Sequence, residues 1–277
     1  MQPSFSLGLI GFPLDHSLSP RLHNAALQAL AFSGKYCLYP IPPLPGGVKQ
    51  LEGLLRLFSA GELQGLNVTI PHKQAVIPFV TELAPTALAT GAVNTIYLKD
   101  GKLMGENTDV AGFLADLHRL LPGEAQEVRQ ALVLGAGGAA RGVVYALVST
   151  SWQVHVAARR LLAAQEIANG QSLLLEEQAL SDLISCHQLS LVVNATPFGM
   201  GESKSQSPWP SDLAFPNGVV VYDLVYNPAE TLFLKSARLS GLVARNGLGM
   251  LVEQAAFSFE IWTGQKPSLQ AMWQSIQ

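Results

Sequence analysis

Hydrophobic and polar positions in the N-terminal third of the chain follow two periods in turn, the alternation of a strand and the 3.6-residue spacing of a helix. This pattern predicts strands over 6–11, 36–39 and 65–70, and helices that open at Ser19 and span 48–59. Ser19 is expected to be the N-cap of the first helix, with Pro20 at its first helical position. Because strand and helix follow each other in this order, the segments predict a mainly parallel sheet.

A second series of strands and helices begins near Asp109. We predict strands over 131–134, 153–157, 191–195 and 218–222, with helices over 139–148, 250–263 and 267–276. The stretch 199–210 is rich in Ser, Gly and Pro and predicts a surface loop beyond the end of a strand. The chain is therefore an α/β protein with two successive α/β segments.

The densest cluster of glycine follows the predicted strand 131–134. Gly135, Gly137 and Ala140 fill the pattern G-x-G-x-x-A between that strand and a helix, the context of a dinucleotide site. The first glycine makes the turn, the second admits a pyrophosphate, and the third small residue lets helix and strand pack closely. The helix N-terminus then faces the phosphates with unpaired N–H groups. The alternative is a glycine-rich turn that binds nothing.

Composition narrows the class of protein. The 277 residues are 48% hydrophobic and 13% charged, with a net charge of −3. This small negative charge gives no reason to expect binding to nucleic acid or to an anionic membrane. Charge, Gly or Pro interrupts every apolar run before it reaches membrane-spanning length, and the first six residues do not resemble a secretory signal. We expect a cytoplasmic monomer or homodimer, with Cys37 and Cys186 reduced and buried.

Polar residues gather where the predicted strands end, which is where open α/β sheets bind ligands. The cluster contains hydroxyl and amide side chains, one cation and one anion: Ser17, Ser19, Asn67, Thr69, Asn94, Lys73 and Asp109. Hydroxyls and amides suit a small hydroxylated acid. Each residue also has a structural interpretation: an N-cap or turn former for the serines, Asn94 and Asp109, a cross-strand partner for Asn67 and Thr69, and a solvated lysine for Lys73.

A lysine–carboxylate pair beside a nicotinamide suits the reduction of a carbonyl. Lys73 would stabilise the oxyanion that develops as hydride arrives, and the pair with Asp109 can pass a proton to it. No cluster of His, Cys and Asp suggests a metal, and we expect none.

Taken together, these segments resemble the shikimate/quinate dehydrogenase family over nearly the whole length. The similar segments are His16-Ser17-Leu18-Ser19-Pro20, Asn67 to Lys73, Gly91 to Thr95, Asn107-Thr108-Asp109, Gly135 to Arg141, Asn194-Ala195-Thr196-Pro197, Asp223 to Pro228 and Asn246 to Leu251, the last followed by Gln254. The resemblance implies NADPH-dependent reduction of 3-dehydroshikimate to shikimate in chorismate biosynthesis.

The resemblance also implies an architecture and a set of site residues. It implies a substrate domain over 1–105, a Rossmann-like NADP-binding domain over 106–240, and C-terminal helices over 241–277 that return to the substrate domain. The implied substrate residues are Ser17, Ser19, Asn67, Thr69, Lys73, Asn94, Asp109, Tyr226 and Gln254, with Lys73 and Asp109 catalytic. The implied cofactor residues are Gly135, Ala136, Gly137, Gly138, Ala139, Ala158, Arg159, Arg160, Asn194, Ala195, Thr196, Pro197, Met200, Leu224, Gly247, Gly249 and Met250.

The chain departs from the family where the adenosine end of the cofactor is bound. The strand over 153–157 ends without the acid that grips a ribose 2′-hydroxyl in NAD sites, and Arg159 and Arg160 follow. Members that prefer NADP usually carry Asn-Arg-Thr there and a second arginine in the next helix. We expect NADP preference, with Arg159 the main contact. A quinate/shikimate dehydrogenase of broader specificity and a weakly catalytic, cofactor-binding regulatory protein are the alternatives.

Overall fold

The computed structural model describes residues 4–121 and 129–277 and divides into two compact units. One unit holds the chain up to Gly112 together with Leu251–Gln277, and the other is Phe113–Met250. Both boundaries fall inside helices, so the chain passes from one unit to the other without an intervening loop. The domain boundaries expected from the sequence, at 105 and 240, precede these two points.

The first unit is built on a six-stranded mixed sheet. Its strands are β1 (Ser4–Gly11), β2 (Ser33–Pro40), β3 (Gly65–Val68), β4 (Glu82–Leu83), β5 (Thr95–Lys99) and β6 (Lys102–Glu106). Its first helices are α1 (Ser19–Ala29), α2 (Val48–Ser59), α3 (His72–Ala75) and α4 (Pro85–Thr90), and α5 (Thr108–Leu120) leads to the second unit. The strand order is β2-β1-β3-β5-β6-β4.

The first sheet is mainly parallel, as predicted, and contains one antiparallel strand, β5. β1 pairs in parallel with β2 and β3, but β5 runs antiparallel to both β3 and β6. The β5–β6 hairpin turns at Asp100 and Gly101, which both have positive φ. An Asp-Gly pair is a strong hairpin signal because Gly and Asp tolerate that conformation, and the sequence interpretation overlooked it.

The second unit is an all-parallel sheet with the strand order of a dinucleotide-binding fold. Its strands are β7 (Gln130–Leu134), β8 (Gln153–Ala158), β9 (Ser172–Leu174), β10 (Leu191–Asn194), β11 (Val220–Asp223) and β12 (Ala244–Asn246). Its helices are α6 (Gly138–Ser149), α7 (Leu161–Gln165), α8 (Glu177–Cys186) and α9 (Leu232–Leu239). The order β9-β8-β7-β10-β11-β12 places the switch point between β7 and β10, where such sheets bind ligands. The predicted α/β fold class is confirmed.

The chain ends with α10 (Leu248–Thr263) and α11 (Leu269–Ser275), and α10 enters the first unit at Leu251. Leu9 of β1 packs with Leu22 of α1 and Phe259 of α10 in one buried cluster. The next residue, Ile10, points to the opposite face and packs with the apolar side of α2. This alternation follows from the two-residue period of a strand. The first sheet is therefore covered on both faces, and its carboxyl edge is left for polar side chains.

Two local predictions were wrong. Helix α1 begins at Ser19 itself, with Leu18 at the N-cap and no side-chain cap; instead, the Ser19 amide donates to Ser17 Oγ at 3.3 Å. The cysteines are not both buried, since Cys37 is half-buried and Cys186 is exposed. Neither correction changes the bounds of a strand that carries candidate site residues.

His23 on α1 is a buried imidazole that the sequence interpretation overlooked. Its ring stacks on Tyr36 with 4.3 Å between centroids and 4° between planes, and Trp262 lies 5.2 Å away. Neither ring nitrogen has a hydrogen-bond partner. Burial lowers the pKa of His23 to about 3 and outweighs the opposing effect of the Asn67 side chain, because a dry aromatic site disfavours the charged ring.

His23 should therefore make folding sensitive to acid. The pKa of His23 in the folded protein lies below the ordinary value of 6.5. The neutral ring's contribution to the free energy of unfolding is therefore complete above pH 6.5 and is lost as the pH falls from 6.5 toward 3. The variant His23→Phe keeps the aromatic packing. As the pH falls from 7.5 to 5.5, we expect its free energy of unfolding to rise by about 1.4 kcal/mol relative to that of the parent. Urea unfolding at each pH measures this, with exposed His118→Phe as the control. Parallel pH profiles for the parent and His23→Phe would show that the imidazole is not buried in neutral form.

Candidate active site

The first unit holds all but one of the predicted substrate residues, and most of them follow or precede its strands at one edge of the sheet. Ser17 and Ser19 follow β1, Asn67 lies in β3 with Thr69 just after it, and Lys73 is on α3. Asn94 precedes β5, Asp109 is in the first turn of α5, and Gln254 is on α10. The predicted substrate residue Tyr226 belongs to the second unit.

Lys73 and Asp109 form an ion pair at the centre of this cluster. Lys73 Nζ lies 2.6 Å from Asp109 Oδ2, and their side chains are 23% and 14% exposed. The Lys73 backbone carbonyl accepts from the Val93 amide at 2.7 Å, which fixes the short helix α3 against the segment that precedes β5. Asp109 sits at a helix N-terminus, where the helix dipole favours a carboxylate. The pair is thus preorganised and still reachable from solvent.

Asn94 holds the second oxygen of that carboxylate. Its Nδ2 donates to Asp109 Oδ1 and to Thr108 Oγ1, both at 2.9 Å. Its Oδ1 accepts from the Thr108 amide at 2.8 Å and from Thr95 Oγ1 at 2.9 Å. The amide of Asn94 is therefore fully hydrogen-bonded within the protein, and a longer contact of 3.4 Å reaches Gln254 Oε1.

Asn67 is equally constrained at the other end of the cluster. Tyr36 donates its hydroxyl to Asn67 Oδ1 at 2.7 Å, while Asn67 Nδ2 lies 3.1 Å from the Asn94 carbonyl and 2.9 Å from Ser258 Oγ. The carbonyl accepts only, so it fixes which end of the Asn67 amide carries the nitrogen. Burial raises the pKa of Tyr36 well above its usual range, which keeps its hydroxyl protonated as a donor.

His72 anchors the turn that carries Lys73. The His72 ring is buried, and its Nε2 donates to the Ile41 carbonyl at 2.7 Å. Because a carbonyl can only accept, the ring carries its proton on Nε2, and Nδ1 is left without a partner. The sequence interpretation gave no role to His72, although it adjoins Lys73.

The second unit presents a glycine turn after β7. Gly135 has φ +112°, a conformation that favours glycine, and its amide donates to the Ala157 carbonyl at 2.7 Å. Gly137 is the N-cap of α6 with no side-chain cap, and a Cβ added at Gly137 or Gly138 would meet no atom within 4 Å. An open cradle of backbone N–H groups at a helix N-terminus fits a pyrophosphate. Ala140 is fully buried, as close packing of helix and strand requires.

The loop after β10 is held by a buried hub of hydrogen bonds. Asn194 donates to Asp223 Oδ1 at 2.8 Å and accepts from the amide and hydroxyl of Thr196 at 2.9 and 2.6 Å. Asp223 also accepts from the Val225 amide at 3.0 Å and from Thr231 Oγ1 at 2.6 Å. One carboxylate thereby joins the loop after β10, the loop after β11 and the start of α9.

The other predicted cofactor residues occupy different surroundings. Arg159 and Arg160 are exposed directly after β8, and no ion pair joins either of them to another described residue. Gly249 adjoins Asp116 so closely that a Cβ would lie 2.2 Å from its carboxylate, and a Cβ at Gly247 would lie 2.2 Å from the Leu224 carbonyl. Both glycines thus have a packing reason to be glycine.

Four buried polar residues that support these side chains were given no role from the sequence: Tyr36, His72, Asp223 and Ser258. Ser258 lies one helical turn after Gln254, and that i, i+4 spacing was the available signal. Asp223 ends an apolar strand, where a buried acid needs partners. Across the described residues, no group of three or more His, Cys, Asp or Glu could hold a metal ion, and no helix is long and apolar enough to cross a membrane.

A lysine–carboxylate pair in one unit, and in the other an open glycine turn between the first strand and first helix of a parallel sheet, are typical of nucleotide-dependent dehydrogenases. Family models match residues 9–96, as a shikimate dehydrogenase substrate binding domain, and 247–277, as a shikimate 5′-dehydrogenase C-terminal domain. Shikimate dehydrogenase (NADP(+)) of Salinibacter ruber is 41% identical over 97% of this chain and 95% of its own. The chain belongs to the shikimate dehydrogenase family, and the resemblance seen in its motifs is confirmed.

Solved structures agree with this assignment. A shikimate 5-dehydrogenase of Thermus thermophilus, in complex with NADP(H) and shikimate, has a TM-score of 0.83 at 35% identity and covers 98% of each chain. A quinate dehydrogenase of Corynebacterium glutamicum, in complex with NAD, has a TM-score of 0.85 at 32% identity and covers 99% of each chain. The fold is therefore common to enzymes that differ in substrate and cofactor, and the choice between them depends on residues at the site.

Asp223 should give the second unit a measurable dependence on pH. Burial raises the pKa of this carboxyl to about 6, against the opposing effect of its three donors. Because the folded pKa is raised, the protonated form stabilises the fold below about pH 4, and this stabilisation is lost as the pH rises to 6. Asn can keep the bonds to Asn194 and Val225 and donate to Thr231.

We therefore expect Asp223→Asn to be the more stable protein at pH 7.5, by up to about 3 kcal/mol, with the difference closing near pH 4. Denaturant unfolding at several pH values measures the difference from the parent. Asp182→Asn on the exposed side of α8 is the matched control. A difference that does not vary with pH would contradict the raised pKa of Asp223.

Proposed function

We propose that this chain catalyses the NADP-dependent interconversion of 3-dehydroshikimate and shikimate, the step that the resemblance implies in chorismate biosynthesis. The observation that carries the proposal is the Lys73–Asp109 pair at 2.6 Å, in a chain similar over 97% of its length to a shikimate dehydrogenase (NADP(+)). Substrate binding is assigned to the unit that holds this pair, and NADP binding to Phe113–Met250.

The residues of the first unit supply binding and proton transfer. In this proposal Lys73 donates to the carbonyl oxygen and stabilises the negative charge that develops there. The proton that completes the new hydroxyl comes from the Lys73–Asp109 pair, and Asn94 holds Asp109 in place while it does so. Bound NADPH supplies the hydride. Ser17 and Ser19 are assigned to the substrate carboxylate, and Thr69 and Gln254 to its remaining surface.

The residues of the second unit supply the cofactor site. The cradle at Gly137 and Gly138 takes the pyrophosphate, since it offers backbone N–H groups and no side chain. The loops after β10 and β11 border the nicotinamide half, while Arg159 and Arg160 stand at the end of β8, where a 2′-phosphate would lie. The proposed reaction consists of a hydride transfer and a proton transfer, and it uses no metal ion. We place the enzyme in the cytoplasm as a monomer or homodimer, in keeping with two unpaired cysteines.

Lys73→Ala tests the catalytic assignment. We expect kcat for shikimate oxidation with NADP to fall roughly 10²–10⁴-fold while KM changes little, because the ammonium acts most strongly on the transition state. Lys102→Ala, which removes an exposed lysine paired with Glu82, is the control and should keep parental rates. Absorbance of the reduced cofactor follows both, with quinate as a second substrate. Near-normal turnover by Lys73→Ala would remove Lys73 from the mechanism, and a parent that favours quinate would replace the proposed substrate.

Arg159→Ala tests the choice of cofactor. A guanidinium bound to a 2′-phosphate makes a charge-assisted contact, so its loss should lower kcat/KM for NADP roughly tenfold to a hundredfold and leave that for NAD unchanged. Arg160→Ala, at the neighbouring exposed position, should have a smaller effect. A parent that prefers NAD, or an Arg159→Ala variant with the parental preference, would show that the cofactor is selected elsewhere.

A further inference from the structure

Ser258 on α10 is a buried hydroxyl at the meeting point of four segments that carry the substrate site. Its Oγ lies 2.9 Å from Asn67 Nδ2 and 2.8 Å from Thr95 Oγ1. Thr108 Oγ1 lies 3.1 Å away, and Ser258 donates to the Gln254 carbonyl at 3.1 Å. The partners come from β3, β5, α5 and α10, and Ser258 itself is fully buried.

The hydrogen bonds available to Asn67 show what Ser258 does there. The Asn67 amide has two hydrogens and three acceptors within reach: the Asn94 carbonyl at 3.1 Å, Thr95 Oγ1 at 3.2 Å and Ser258 Oγ at 2.9 Å. Ser258 is the nearest of the three, and its oxygen has lone pairs that accept from Asn67 whether its own proton goes to the Gln254 carbonyl or to Thr95 Oγ1. Together with the Tyr36 hydroxyl and the Asn94 carbonyl, Ser258 fixes the rotation of the Asn67 amide about its last side-chain bond, and it makes the shortest of the bonds that the amide nitrogen donates.

The same contacts act much less on the catalytic pair. Asn94 keeps its bonds to Asp109, Thr108 and Thr95 whether or not Ser258 is present. The Lys73–Asp109 contact does not pass through Ser258 either. Loss of the Ser258 hydroxyl should thus loosen Asn67 and leave the proton-transfer groups in place.

We propose that Ser258 is a positioning residue of the substrate site, which holds the Asn67 amide in the orientation that binds shikimate. This rests on the proposed function, because it needs shikimate as the ligand. The residue acts through Asn67 and does not itself touch the substrate. It also explains why a polar residue occupies a fully buried position beside Ala255 and Phe259, which pack in the apolar core.

The test compares Ser258→Ala with two matched variants. Thr263→Val removes a hydroxyl that likewise donates to a carbonyl one turn earlier on α10, Phe259 at 2.8 Å, but lies outside the cluster. Ser258→Thr retains the hydroxyl. For each protein, KM and kcat are measured with shikimate and with NADP, the dissociation constant of shikimate alone is measured by calorimetry, and the midpoint of thermal unfolding is recorded.

We expect Ser258→Ala to raise KM and the dissociation constant for shikimate about five- to tenfold, as for the loss of one buried hydrogen bond. Its kcat should stay within about twofold, and KM for NADP should not change. Ser258→Thr should restore most of the shikimate affinity, and Thr263→Val should match the parent. A lower unfolding temperature with parental shikimate affinity would show a structural role alone and overturn the proposal, as would equal losses in the Ala and Thr variants. A parent that neither binds nor oxidises shikimate would overturn the proposed function first, and this inference with it.

Discussion

The hydrogen bond from the Asn94 amide to the Asp109 carboxylate links the reactive pair to the folded core of the first unit. Lys73 and Asp109 are partly exposed, and an ion pair in water is weak and mobile. Asn94 is almost fully buried and uses every polar atom of its amide within the protein. A buried polar group leaves such an arrangement only at the cost of unmade hydrogen bonds. The position of Asp109, and with it that of Lys73, is thus set by the interior of the protein.

In the second unit, too, a buried asparagine fixes the position of a loop at the end of the sheet. Asn194 ends β10 as a fully buried amide, and it orders the turn at Thr196 through two hydrogen bonds while Asp223 holds its nitrogen. Asp223 carries a charge where solvent cannot reach it, which raises its pKa. In both units a buried asparagine adjoins a strand that the sheet holds in place. Its hydrogen bonds fix the conformation of the neighbouring segment. Loops that hold reactive groups gain precision when their polar side chains are locked in this way.

The strands β1, β2, β3, β7, β8, β10 and β11 and the helices α2, α6 and α10 were predictable because they rest on local patterns. The site residues were proposed from polar clusters at strand ends, and their roles stay predictions. Periodicity located α2 at residues 48–59 as observed, and the glycine pattern located the turn after β7. The β5–β6 hairpin was missed because residues 95–106 lack a clear alternation of apolar and polar positions, although Asp100-Gly101 marked the turn. The N-cap at Ser19 was wrong because Ser17 already accepts from the amide that begins α1. The roles of His72, Asp223 and Ser258 depend on contacts between distant segments, which no local pattern contains.

Glycine motifs illustrate why a motif alone does not identify a ligand contact. At Gly137 and Gly138 the space that a Cβ would fill is empty, so the absence of side chains leaves room for something outside the protein. At Gly249 the same space holds the Asp116 carboxylate, which also accepts from the Tyr222 hydroxyl at 2.7 Å. A larger residue at Gly249 would displace a buried acid from its partner. The glycine at 249 is explained by packing inside its own unit, and Gly135 by its positive φ, whereas neither reason applies to Gly137 and Gly138. The physical argument for a cofactor therefore rests on the turn after β7 and not on the number of glycines that match a family.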